Sequence, residues 1–164
     1  MTDLNKRDTT AEIRAAVENF FERDKIKFAP FDENDVASAS YNVDTRFGHA
    51  TVFFRAYKDR LVLRMIIPVS ADEEARSKVG EFLLRANYGL KVGGFDFDFN
   101  DGEISYRIAI FCGIDDFAPP TYEQIDFSVI VGLMMIEKYG NALVKVMFGL
   151  VEPSDAVDAV EAND

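Results

Sequence analysis

Between residues 95 and 110 the chain alternates apolar and polar residues with a period of two, broken once by Asn100-Asp101-Gly102. Phe95, Phe97 and Phe99 alternate with Asp96 and Asp98, and Ile104, Tyr106, Ile108 and Ile110 alternate with Ser105, Arg107 and Ala109. A strand places successive side chains on opposite faces, so this pattern predicts two strands with one dry and one wet face. The Asn-Asp-Gly step supplies the tight turn of a hairpin. Arg107 falls on the side of the aspartates, where a cross-strand ion pair can form.

Three helices are predicted from capping signals and apolar spacing. Thr9 to Glu12 reads as a capping box ahead of Ile13, Val17, Phe20 and Phe21, which predicts a helix over 10–23. Ser70 to Glu73 repeats the signal before Val79, Phe82, Leu83 and Ala86, predicting a helix over 71–87 that Asn87-Tyr88-Gly89 ends. Thr121 and Gln124 open the last helix, and its segment from Phe127 to Ile136 is apolar nearly all round. Its stripe shifts round the axis at Gly140-Asn141, where a bend or break is expected.

Between the first two helices, residues 36–43, 48–57 and 60–68 read as strands, with Pro68 ending the third. The order is α-β-β-β-α-β-β-α. Consecutive strands joined by short loops form an antiparallel sheet with the helices gathered mainly on one face, an α+β fold. Residues 1–150 are expected to form one domain, and residues 151–164 an acidic, mobile tail in which Ala156, Val157 and Val160 could still make a short frayed helix.

Charge and composition narrow the function. With 29 acidic against 18 basic residues the net charge is −11, which disfavours nucleic acid and anionic membranes. No run approaches the length of an unbroken apolar span, and the polar stretch from Met1 to Thr10 lacks a signal-peptide core, so a cytoplasmic location is expected. The single cysteine excludes an intramolecular disulfide and a Cys-built zinc site, and no cofactor is expected.

The candidate sites are few. Asp96, Asp98, Asn100 and Asp101 suggest a calcium loop, but the sixth position is Asp101 where glycine is needed and the twelfth is Arg107 where glutamate is needed. Gly89, Gly93 and Gly94 lead into a strand, which is the wrong context for a phosphate loop. His49 and Cys112, each the only residue of its type, could act together only if the fold made them neighbours. Arg55, Lys58, Arg60 and Arg64 form a basic group that reads either as a patch for an acidic partner or as solvated charges blunting a strand edge.

The chain also resembles the YbjN family. A helix ending in "FLLRANYGL" leads into "GGFDFDFNDGEISYRIAI", similar to the family's helix ending in Asn and hairpin turning at Asp-Gly. The likeness is closest over 79–110 and extends by element order over 15–148. It implies a type III secretion chaperone-like fold, a homodimer without catalytic residues, and a role in regulating sensory transduction. Structural relatives of that fold bind extended segments of partner proteins. The resemblance places no ligand-binding residue in this sequence, and the acidic tail and the loop at 112–120 have no counterpart in it.

The expected function is therefore a non-enzymatic, chaperone-like or regulatory homodimer that holds a segment of another polypeptide. Val129, Leu133, Met134 and Ile136 are the candidates for the dimer or partner face, although cover from the chain's own core would explain the same apolarity. Phe53, Arg55 and Arg64 are the candidates on an exposed sheet face. The alternative is a small-molecule sensor or enzyme with a pocket between sheet and helices, using His49, Cys112 or the Asp96–Asp98 face. A third reading is a purely structural member of a larger assembly.

Overall fold

The alternating segments assemble into one antiparallel sheet. A computed structural model describes residues 7–114 and 117–162. Its elements in chain order are α1 (Thr10–Arg23), β1 (Phe28–Ala29), β2 (Val36–Asn42), β3 (His49–Ala56), β4 (Arg60–Ser70), α2 (Arg76–Gly89), β5 (Gly94–Phe97), β6 (Glu103–Phe111), α3 (Tyr122–Met147) and α4 (Pro153–Glu161). The strand order is β1-β2-β3-β4-β6-β5, with every neighbouring pair antiparallel. The α+β class and the order of the main elements follow the sequence pattern. The first residues, Asp115 and Asp116 of the 112–120 loop, and the end of the tail lie outside the described residues.

Alternation decides which face is covered. Ala50, Val52 and Phe54 of β3, Leu61, Leu63 and Met65 of β4, and Ile104, Tyr106 and Ile108 of β6 all point inward and are buried. α1 lies over β3, α3 lies over β4 and β6, and α2 packs beside β5. Ile13, Val17, Phe20 and Phe21 fill the gap between α1 and the sheet, where Phe21 meets Phe54 edge-on at 4.9 Å between ring centres. This core holds the fold. Surface ion pairs such as Arg85–Glu81 are worth at most about 1 kcal/mol each, whereas truncating one large core residue costs about 2–5 kcal/mol.

Two of the three capping boxes do not form. Thr9 is fully buried, and its hydroxyl donates to the Lys58 carbonyl at 2.8 Å instead of closing the helix start. Asp8 caps in its place, accepting from the Thr10 amide at 3.0 Å and hydroxyl at 2.7 Å, while Glu12 pairs with Arg7. These bonds hold the Asp8 carboxyl below its usual range. Ser70 belongs to β4, and α2 begins only at Arg76. The Thr121–Gln124 box forms with both of its reciprocal bonds.

Four further findings concern extent. Pro68 does not end β4, because the ladder to β3 stops at Ile66 and the register with β6 slips between Ile66 and Ser70, so no ladder bond needs its missing N–H. β1 is a two-residue strand too short to carry a periodic signal. α3 runs unbroken through Gly140, where the lack of a side chain admits Phe47 and Thr45 against the helix. Of the two readings of the acidic tail, the short helix over Ala156, Val157 and Val160 is the one seen: α4 packs on α2 and α3 with Pro153, Ala156 and Val157 buried. The apolar spacing within an acidic stretch was enough to dock it.

The hairpin turn needs its glycine. Gly102 has φ +79°, and a Cβ there would lie 2.1 Å from the Ala71 carbonyl oxygen. The same contact lets the Ala71 amide donate to the Gly102 carbonyl at 2.9 Å, tying the hairpin to the start of the α2 connection. At the other end, Phe99 leaves the dry face and stands exposed, its ring tip over Gly80.

Candidate interaction surfaces

His49 and Cys112 are not neighbours. His49 opens β3 two residues before Thr51, which lies opposite Ile66 of β4, and the Cys112 amide donates to the Asp59 carbonyl just before β4 begins. From Asp59 to the level of Ile66 alone is about 23 Å at 3.3 Å per residue. His49 is exposed and Cys112 buried, with its sulfur 3.5 Å from the Thr9 hydroxyl. Burial pushes the thiol pKa up, the opposite of what an activated nucleophile needs. Among the described residues, no group of three or more His, Cys, Asp or Glu side chains converges to hold a metal ion. The Asp96 carboxylate is instead paired with Arg107 at 2.6 and 3.0 Å, the cross-strand pair read from the sequence.

α3 divides its apolar residues between the core and the surface. Val129 (3% exposed) and Ile136 (1%) pack onto the sheet and belong to the protein's own core, so neither presents an outer face. Leu133 is half-buried, and Met134 is 53% exposed. The outward stripe is Phe127 (57%), Ile130 (48%), half-buried Val131 and Met134, at the i, i+3, i+4, i+7 spacing of one helix face. The spacing was present in the sequence, but an all-round apolar segment does not show which of its sides meets the sheet. Beside the stripe, Val131, Met135 and Lys138 border a groove of about 500 Å³ shared with Leu90, Val92 and Glu161. By length and a mean hydropathy of 1.3 over its most apolar window, α3 could cross a membrane, a property it shares with core helices such as the one seen here.

The other open surface is the outer face of the sheet, which carries Phe53, Arg55 and Arg64. Register sets its side chains in rows across the strands. One row runs Ser38, Phe53, Arg64, Arg107, and the next runs Val36, Arg55, Val62, Ala109. Phe53 and Val62 are half-buried, while Arg55, Arg64 and Arg107 are exposed. No described helix covers this face: the buried residues of all the described helices join one core cluster with the inward side chains.

The sheet edges offer less. At β5, Asn87 of α2 donates to the Phe95 carbonyl at 2.9 Å and accepts from its amide at 2.7 Å, occupying part of the short edge an added strand would need. At the opposite edge β1 is two residues long and is followed by Pro30.

The chain is thus a two-layer α+β domain with one sheet face that no described helix covers and an apolar stripe along α3. The chain belongs to the YbjN family, whose profile, described as "Putative bacterial sensory transduction regulator", matches residues 14–145. No curated protein sequence matches it.

Proposed function

We propose that this protein is a non-enzymatic regulator that works through protein contacts, as a homodimer paired across the outward stripe of α3 that holds a segment of another polypeptide. The observation that carries this reading is the stripe Phe127, Ile130, Val131 and Met134, a row of large apolar side chains left open along one helix face. Aromatic and methionine side chains at such spacing serve as central anchors of helix-to-helix contacts. Membership of a family described as a regulator agrees with it. Replacing Ile130 and Met134 with glutamate should halve the mass in solution while the circular dichroism of the folded chain is kept, and should remove the concentration dependence of the melting temperature. A wild-type chain that sediments as a monomer, or a variant that keeps the dimer mass, would refute this pairing.

A small-molecule sensor is the second reading. One groove of about 460 Å³ favours it, lined by Phe47, Val69, Val144, Met147 and Phe148 with Arg46 and Asp72 at its rim.

A further inference from the structure

We propose that the outer face of the sheet docks an acidic polypeptide segment with interspersed apolar side chains, laid across β3, β4 and β6. This names the partner chemistry for the polypeptide-binding reading above and rests on that reading.

Charge complementarity is the first argument. In a chain of net charge −11, this face carries Arg55, Arg64 and Arg107, joined at its end by Arg60 and Lys58 of the β3–β4 turn. Arg64 and Arg107 are direct partners in the β4–β6 register, a placement of like charges that costs stability. Each is held by a single carboxylate, Arg64 by Glu103 at 2.6 Å and Arg107 by Asp96 at 2.6 Å. Arg60 is held by Asp59 at 2.7 Å. Arg55 and Lys58 make no close ion pair among the described residues, although Arg55 attracts the Asp32 carboxylate and Lys58 that of Asp8; the Arg55 guanidinium rests over the Tyr57 ring at 4.9 Å. The outward strand residues thus keep a positive surplus, Arg55, Arg60, Arg64 and Arg107 against Asp96 and Glu103, with Asp8, Asp32 and Asp59 around the end of the face.

Apolar residues separate the arginines. Phe53 lies opposite Arg64, Val62 opposite Arg55, and Ile66 opposite Thr51, each of these apolar residues half-buried. At the turn end of the same face, Tyr57, Val62, Lys58, Arg60 and Arg107, together with Asp8 and Asp59, border a groove of about 960 Å³, where the Arg60 guanidinium lies 5.1 Å from the centre of the exposed Phe111 ring. A partner that only neutralised charge would leave these side chains wet. A nucleic-acid backbone would offer them nothing and would meet the repulsion of the whole chain. A second copy placed face to face by a twofold axis would set arginines against arginines. An acidic, partly apolar segment satisfies both groups of side chains. It would be held by side chains, since Asn87 already occupies part of the short β5 edge.

The test uses two short fluorescein-labelled peptides, one of Glu, Asp, Leu and Gly and a matched one with Lys at every acidic position, titrated with the full chain and read by anisotropy. The acidic peptide should bind, weaken as salt is raised, and bind at least about tenfold less well to the Arg55→Glu, Lys58→Glu variant. Neither replaced residue holds a close ion pair, so the variant should keep its circular dichroism with at most a small drop in melting temperature, and it should bind the lysine peptide better than wild type does. Equal binding of both peptides, unchanged binding by the variant, or binding of a labelled single-stranded DNA as tightly as the acidic peptide would overturn the proposal. So would no binding at all. The mass in solution fails separately: a dimer that binds no acidic peptide loses only this site, and a monomer that binds it loses only the α3 pairing.

Discussion

Asn87 in the last turn of α2 exchanges two hydrogen bonds with the backbone of Phe95, its amide nitrogen donating at 2.9 Å and its carbonyl oxygen accepting at 2.7 Å. One side chain thereby satisfies both the amide and the carbonyl of an edge residue whose ring is buried against Tyr106 and Tyr139. Asn87→Ala leaves both groups without that partner, and a lost pair of part-buried bonds costs about 1–3 kcal/mol. Urea unfolding should show that loss. Asn87→Asp keeps the acceptor for the Phe95 amide but sets a carboxylate against its carbonyl, so it should not restore wild-type stability.

A second relationship tests how tightly α3 sits on the sheet. A Cβ at Gly132 would lie 2.2 Å from the sulfur of Met65, which is fully buried in β4. Alanine in place of a mid-helix glycine gains about 1 kcal/mol in propensity. Here the overlap outweighs that gain, because overpacking a filled core costs about 1–3 kcal/mol. Gly132→Ala should therefore be neutral to destabilising. Adding Met65→Val, which removes the end of the overlapping side chain, should recover part of the loss, and a double-mutant cycle in urea would measure the coupling. Additive single effects would show that the helix can lift away from Met65.

The fold was legible where local pattern and tertiary context agree. Phe95 to Ile110 could only be a one-sided hairpin, and Ile13 to Phe21 could only be an amphipathic helix. Thr9 shows the limit: its spacing to Glu12 is that of a cap, yet its hydroxyl bonds to the Lys58 carbonyl, forty-nine residues away. A sequence signal records which local bond is possible and not which distant group competes for it. α3 failed for a related reason. A segment apolar all round has no phase, so Val129 and Ile136 were indistinguishable from Phe127 and Ile130 until the sheet chose its side. On the sheet, alternation carries a phase, and Phe53, Arg55 and Arg64 stand in the register rows of the uncovered face.

Buried groups that resist losing a proton make the fold sensitive to base. Burial raises the Cys112 thiol and pushes the Tyr106 hydroxyl up to about 12, and Tyr41 is also raised, by burial first and then by Asp24 and Asp126. Each raised pKa favours the protonated form in the folded chain. The stability linked to these groups is therefore complete below the unfolded values, about 8.5 for Cys and 10 for Tyr, and is lost as pH rises through the folded ones. The urea midpoint should be level through neutral pH and fall above about pH 9. Tyr106→Phe should flatten the upper part of that fall, though it also removes the hydroxyl bond to the Val92 carbonyl and lowers the starting value. In native protein Cys112 should resist iodoacetamide, and it should react once urea unfolds the chain.

The acidic C-terminal stretch offers the sharpest contrast between a tail and a docked element. α4 buries Pro153, Ala156 and Val157 against α2 and α3, and its ends are tied by Lys78 to Glu152 at 2.7 Å and by the Tyr139 hydroxyl to Glu161 at 2.9 Å. A carboxylate at the buried Val157 would be costly to hold there, even with Arg85 bordering the same surface pocket. The least costly response is for α4 to detach while the sheet and the other helices stay folded. The loss from Val157→Asp is then limited to the docking energy, about 2–3 kcal/mol for apolar side chains of this size. Amide exchange over 153–161 should become fast in the variant, with protection of β3, β4 and β6 unchanged. If those amides already exchange freely in the wild-type chain, α4 is not docked and the buried contacts of Ala156 and Val157 do not hold in solution.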